Sequence, residues 1–378
     1  MNRYHPPWHF MLFVPLAALL FGPLAEAKGG HDAHRYLYVV CPGIRDYLEF
    51  GGAGILVFDI DHGHQFVKRI ATHASQEEKP DNIKGVCAHA ATRRIYFTTR
   101  SKLYCLDLVT EKTIWEQTPR DGTDRMSITP DGKLLYVPSF EKDFWSVIDA
   151  ASGKLIAEVE TKSGAHNTVI SRDGRRMYLG GLKSPILFVA DTGTHTIVQK
   201  VGPFAGSIRP FTVNGAATRA FICVNDLLGF EIGDLTSGKK LYRIEVAGFA
   251  TGPVKRHGCP SHGIGLTPDE REIWVVDAFN QQLHVFDNTV EPPRQQESIA
   301  LREQPGWITF SLDCKFGYPS TGEVIDVAGK KVVAALADES GRPVHSEKMI
   351  EIDFNEGVPV AVGDQFGVGR ISSGAKQR

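Results

Sequence analysis

One short phrase returns seven times along this chain: an apolar strand ending in Asp, a tight turn that often carries Gly-Lys, and a second strand. The copies centre on Asp59 (VFDIDHG), Asp107 (CLDLVTEK), Asp149 (VIDAASGK), Asp191 (VADTGTHT), Asp234 (IGDLTSGK), Asp287 (VFDNTVE) and Asp326 (VIDVAGKK). Successive aspartates lie 48, 42, 42, 43, 53 and 39 residues apart. A second phrase runs in step with the first, two apolar strands joined by a turn. It is clear in SITPDGKLLYVPS (Ser127 to Ser139), VISRDGRRMYLGG (Val169 to Gly181) and IGLTPDEREIWVV (Ile264 to Val276). Weaker copies are VCAHAATRRIYFT, FTVNGAATRAFIC and ITFSLDCKFGYPS. In Pro-Asp-Gly, Pro presets φ for the turn and Gly supplies a positive φ. Each unit reads as strand a, turn, strand b, loop, strand c, Asp turn, strand d. One such unit cannot cover both faces of its sheet, so units must stack around an axis. The expected fold is all-β: a seven-bladed β-propeller of four-stranded antiparallel blades.

The pairing of TPDG and LYV with a following VID and SGK, repeated from about Tyr36 to Phe354, resembles the YVTN-type β-propeller repeat. Its superfamily resembles, at fold level, amine dehydrogenase heavy chains, the propeller of nitrous oxide reductase and sugar-lactone hydrolases. The resemblance implies the fold and leaves the function open.

The first unit begins at YLYVV (Tyr36 to Val40), which matches strand b, so it lacks strand a. The last unit is complete by Ala335, yet KMIEIDF (Lys348 to Phe354) follows as a surplus strand. This segment is expected to return to the first blade and close the ring, which removes open sheet edges. Residues 355–378 carry no repeat signal. Within them QFGVGR (Gln365 to Arg370) is expected to pack on a face, and the last eight residues to fray.

The repeat also aligns the positions that enter strand a, at the end of the channel opposite the Pro-Asp-Gly and Asp turns. These are Lys84, Asp124, His166, Arg209, His262 and Pro305, with Arg125 and Asn167 next along. His345 approaches from the closing segment. Arg100, Asp226, Asp277 and Asn280 leave strand b at the same end. Trp307 follows Pro305-Gly306 and is placed to form an apolar wall. A ring of His, Arg and Asp around one mouth suits an anionic or carboxylate-bearing ligand. The plainer reading is a channel that holds ordered water. RHGCPSHG places His257, Cys259 and His262 together in the longest insertion, where imidazole and thiolate would suit Zn or Cu. Cys259 lacks the second Cys of a haem-attachment motif. No cofactor is otherwise expected, and no Ser elbow, P-loop or dinucleotide glycine pattern is present. Tyr96, Tyr136, Tyr178, Phe221 and Trp274 share one repeat position and are expected to pack between blades, with His89 structural at an a–b turn. Three functions stay open: a binding or scaffold propeller that takes a small ligand, peptide or partner protein; a lactone or ester hydrolase; and an electron-transfer subunit whose partner supplies the redox centre.

The formal net charge of −2 argues against nucleic acid as a partner. Six cysteines show no CxxC spacing; most are expected as buried thiols, with at most one bridge. Residues 1–27 read as a signal peptide: Arg3 is the positive start, Phe10 to Phe21 an apolar run too short to span a bilayer, and Ala25 to Ala27 a small-x-small cleavage site. Residues 28–35 are then a leader, and the mature chain, with no membrane-spanning segment, is periplasmic or secreted. Mass spectrometry of the exported protein should find Lys28 at its N-terminus; an intact Met1 would count against cleavage.

Overall fold

The computed structural model describes residues 1–3, 33–76 and 78–371, and the segment expected as a signal peptide lies outside these apart from its first three residues. Asp32–Arg378 is one compact unit. Its strands form seven antiparallel sheets, six of four strands and one of five. These are the seven expected blades. Among the described residues no helix is long and apolar enough to cross a membrane.

Each blade is built from its own stretch of repeat. The innermost strand a is Ile83–His89 in blade 2, Ser127–Ile128 in blade 3, Ala165–Ile170 in blade 4, Ile208–Val213 in blade 5, Ile264–Leu266 in blade 6 and Ile308–Phe310 in blade 7. Strands b and c are buried on both faces because a neighbouring blade covers each side, and so they read as unbroken apolar runs. Outer strands such as Thr196–Val201 alternate, since one face meets solvent. The shared aromatic position packs between blades as expected. Tyr96 Oη donates to Ala150 O at 3.0 Å and Tyr136 Oη meets His195 Nδ1 at 2.7 Å, each in the following blade.

The recurring Asp has a mechanical role. Asp107 Oδ1 accepts from the Val109 and Thr110 amides at 2.9 and 2.6 Å, and Asp234 Oδ1 does the same for Thr236 and Ser237 at 2.7 and 3.1 Å. The carboxylate thus takes up amides that the c–d turn leaves without backbone partners. The fourth residue after it turns left-handed in six of the seven copies, as at Gly153 with φ 73°. That is why Gly-Lys so often follows the Asp.

Blade 1 is made from both ends of the chain. Met349–Asn355 lies antiparallel beside Ala33–Cys41, with Tyr36 opposite Ile352 and Tyr38 opposite Ile350. The closing strand therefore stands where expected. The strand beside it begins at Ala33, inside the expected leader. Residues beyond Phe354 do more than their lack of repeat suggested. Val358–Val362 hairpins back as a fifth strand of blade 1. The chain then crosses the inner strands. Gln365 Oε1 accepts from the Val86 amide at 2.7 Å, Gly367 O from the Leu266 amide at 2.8 Å, and the Gly369 amide donates to Val213 O at 2.9 Å. QFGVGR thus lies within the channel instead of on a face; it gives partners to inner-strand groups that have no further strand beside them. Residues 372–378, which hold all but the first of the eight expected to fray, lie outside the described residues.

All six cysteines are free thiols, five of them buried. Burial pushes Cys41 and Cys105 up to about 12, so these thiols stay protonated at neutral pH.

Met349, Ile350, Ile352 and Phe354 of the closing strand are all buried. At roughly 1.5–3 kcal/mol each, their burial contributes about 6–12 kcal/mol. That equals most of the 5–15 kcal/mol typical of a folded domain. Deleting Glu347–Arg378 should therefore abolish the cooperative thermal transition; a truncated chain that melts where the parent does would overturn the closure.

Candidate functional site

The loops entering strand a meet at one end of the ring around a cavity of about 520 Å³. Lys84, Arg100, Arg125, His166, Arg209, His257 and His262 line it, together with Glu347 and Lys348 from the closing segment. Lys84, Arg125, His166, Arg209 and His262 converge because they sit at or beside the strand-a entry of successive blades, while Arg100 comes from the exit of strand b and His257 from the loop before His262.

The floor is a buried chain of charges. Asp124 is fully buried and its Oδ2 lies 2.7 Å from His166 Nδ1. Lys84 Nζ stands 3.8 Å from its Oδ1. Arg125 Nη1 donates to His166 Nε2 at 3.4 Å. Because Arg can only donate, Nε2 is the acceptor, and the imidazole proton sits on Nδ1 against Asp124. The other guanidinium nitrogen of Arg125 pairs with Glu347 Oε2. Lys348 Nζ reaches the same oxygen and Gly43 O, both at 2.9 Å. His257 Nδ1 lies 3.2 Å from Glu347 Oε1, and the His257 and His262 rings stack at 4.7 Å. His262 Nδ1 faces Gly306 O at 3.1 Å.

Burial works against every charge here, and the neighbours decide which survive. Burial alone would raise Asp124, but His166, Lys84 and Arg125 hold it well below the usual carboxylate range. Glu347 is likewise held down, against its burial, by Lys348, Arg125 and the two histidines. Burial lowers His166, His257 and His262, so all three imidazoles are neutral at pH 7. Lys348 is pushed down to about 7 by its burial, with Glu347 opposing.

Trp307 forms the base. The Arg125 guanidinium lies over its ring at 4.4 Å, Phe366 of the tail meets it at 5.9 Å, and its Nε1 donates to Gln365 O. It was expected as an apolar wall; it lies beneath Arg125, between the mouth and the tail, and does not itself line the cavity.

Other expected residues are placed differently. Asn167 is buried beside Arg125 with its amide atoms unpartnered, and it does not line the cavity. Asp277 is committed to Asn280 and to His284 Nε2 within blade 6. His345 stacks on Phe50 at 4.4 Å instead of reaching the mouth. Cys259 donates its thiol to Ser261 O at 3.2 Å, and burial pushes it up to about 12. It stands outside the group of close donor atoms, where Glu347 joins His257 and His262 in its stead. Asp226 and Pro305 lie off the cavity. His89 is tied to Thr92 Oγ1 and Pro130 O, as a structural residue would be.

Glu347 and Lys348 were not found from sequence. They occupy the strand-a entry of blade 1, but that strand runs into its own hairpin and carries no Pro-Asp-Gly turn from which to count. Ring closure was the signal that could have placed them.

No family model matches the sequence, and no curated protein does. Among solved structures, the Cps50 (Swd1) β-propeller domain of Myceliophteria thermophila aligns over 77% of this chain and 93% of that one, with a TM-score of 0.56 and 11% identity. That likeness is one of fold. The chain is a seven-bladed β-propeller protein with a polar cavity at one end of its channel.

Arg125 is 2% exposed and compensates Glu347, so Arg125→Ala leaves a buried carboxylate short of a partner. The expected loss is about 3–5 kcal/mol in denaturant unfolding. Arg209→Ala, at a half-buried position, should cost less than about 1 kcal/mol. Equal losses would mean that the floor is not held by charge pairing.

Proposed function

We propose that this chain is an exported propeller of the YVTN-repeat type that binds a small anionic ligand, a carboxylate above all, at the mouth of its channel. The observation that carries the reading is the state of the cations around the cavity. Arg209 is steadied by Asn225 Oδ1 and Gly258 O, neither of which is a charge. Arg100 lies over the Phe140 ring at 5.1 Å, and Lys84 over the same ring at 5.0 Å. Lys84 is also paired with Asp124, whereas Arg209 and Arg100 keep donors for an incoming anion. The cavity volume suits a small molecule or the carboxylate end of a peptide. Export rests on the N-terminal pattern alone, and the YVTN assignment on the repeat phrases. Hydrolysis gains less support, since His166 Nε2, the atom a general base would use, is already turned to Arg125.

The test is calorimetric titration of the mature protein with acetate, succinate and citrate. At least one should bind with salt-dependent affinity. Arg209→Ala and Arg100→Ala should each weaken it about tenfold, which is about 1.4 kcal/mol. If none of the three binds the parent, or both variants bind as the parent does, the reading fails and the functional surface lies elsewhere on the ring.

A further inference from the structure

The ring holds a second cavity, of about 280 Å³, at the end of the channel opposite the mouth. We propose that it binds a medium-chain oxo carboxylate, a small acid whose carboxylate meets Arg172 at the rim and whose chain carries a carbonyl near its far end, against Gln365. The inference does not depend on the anion reading at the mouth.

The space comes from the way the tail crosses the channel. Its hydrogen bonds go to blade 1 through Glu351 O, to blade 2 through the Val86 amide, to blades 5 and 6 through Val213 O and the Leu266 amide, and to blade 7 through Thr309 Oγ1. Among the described residues it forms none with the inner strands of blades 3 and 4. The inner strand of blade 3 is also the shortest, Ser127–Ile128. The tail therefore stands off from that side of the ring, and Val86, Met126, Ile128, Ile170 and Phe366 wall the gap. Apolar walls of this kind hold water poorly and suit a hydrocarbon chain. Val86 to His89 is three strand steps, so that wall is roughly 10 Å long, about the length of an extended eight-carbon chain.

The polar atoms stand at the two ends of this wall. At the inner end is Gln365, which lines the cavity and is 1% exposed. Its Oε1 accepts from the Val86 amide at 2.7 Å. Because that amide can only donate, the orientation of the Gln365 side chain is settled, and Nε2 is the end left over. Nε2 is buried and has no hydrogen-bond partner. Buried polar groups are nearly always paired, so a ligand acceptor can supply here what the fold does not. A carbonyl oxygen fits, since it accepts and brings no proton of its own to be satisfied.

At the outer end are charges. Arg172 is exposed on the a–b turn of blade 4, lines the cavity and, among the described residues, forms no hydrogen bond or ion pair. Asp364 lies on the same rim, where its Oδ1 accepts from the Phe366 and Val368 amides and its Oδ2 faces Arg370 Nη2 at 3.4 Å. Two guanidiniums thus share one carboxylate around the cavity, which leaves a positive charge for a monoanion. Partial burial, and then the nearness of Arg370, lower the pKa of Arg172 from the ordinary guanidinium value, as expected of a cation short of compensation.

The test is calorimetric titration of the mature protein with 7-oxooctanoate and with octanoate, which differs only in lacking the carbonyl. The oxo acid should bind one equivalent with a Kd on the order of 100 μM or tighter, and octanoate about tenfold more weakly. Arg172→Ala removes a guanidinium on which no hydrogen bond of the fold depends, so it should melt as the parent does and weaken both acids about tenfold. Gln365→Glu keeps an acceptor for the Val86 amide and removes the free donor, so the preference for the oxo acid over octanoate should disappear. An oxo acid that does not bind the parent, or that binds it no better than octanoate, overturns the proposal. So does binding that is weakened by Arg209→Ala and not by Arg172→Ala, which would put the acid at the mouth.

Discussion

The pairing of Ala33–Cys41 with Met349–Asn355 is the constraint on which the rest depends. Every other blade is sequence-local, built from consecutive strands with short turns, and could form without knowledge of the chain ends. Blade 1 cannot. Its inner strand comes from the far end of the chain, and its loop closure is the costliest step in chain entropy. The same segment delivers Glu347 and Lys348 to the cavity immediately before it enters the strand. The chemistry of the mouth therefore exists only in the closed ring.

Trp307 ties the two ends of the channel together. On one side it carries Arg125, and on the other it meets Phe366 and donates to Gln365 O. The tail in turn bonds to inner strands of blades 2, 5 and 6. A channel lined by short inner strands, only Ser127–Ile128 in blade 3, would leave amides and carbonyls facing an empty core. The tail supplies those partners, and Trp307 gives the buried floor charges a rigid, water-excluding base. Fixed geometry matters there because a buried ion pair offsets its desolvation only when its partners are well placed.

What could be seen in the sequence follows from which forces repeat. The Asp of each c–d turn and the aromatic of each strand b do the same work in every blade, so they recur and fix blade count, strand order and closure. Arg125, His166, Arg209 and His262 were found because they share a register with that pattern. The pattern fails where its anchors fail. Glu347 and Lys348 lie before a strand with no Pro-Asp-Gly turn. The tail strand Val358–Val362 and the channel-filling Gln365 to Arg370 occur once, so nothing in the chain can be compared with them. Cys259 shows the opposite error: nearness in sequence to His257 and His262 suggested a shared site, but its thiol turns to Ser261 O. Asp277 and His345 lie near the right end of the ring, yet local partners hold them.

The two ends of this propeller are under different constraints, and that difference singles out the candidate site. At the turn end, each Asp must satisfy the amides of its own hairpin, so its identity is fixed by backbone chemistry. At the mouth end, the strand-a entry makes no such demand on its side chain. Blade by blade it carries Lys84, Asp124, His166, Arg209, His262 and Pro305. Burying such groups is costly unless they compensate one another, and they do: Lys84 and Arg125 flank Asp124, neutral His166 bridges Asp124 and Arg125, and Arg125 and Lys348 flank Glu347. A scaffold needing only to hold water could use small neutral residues at the same places and avoid the desolvation altogether. That this chain keeps a buried, compensated network beneath Arg100 and Arg209, which have no carboxylate partner among the described residues, is the physical ground for proposing that function lies at this end of the ring.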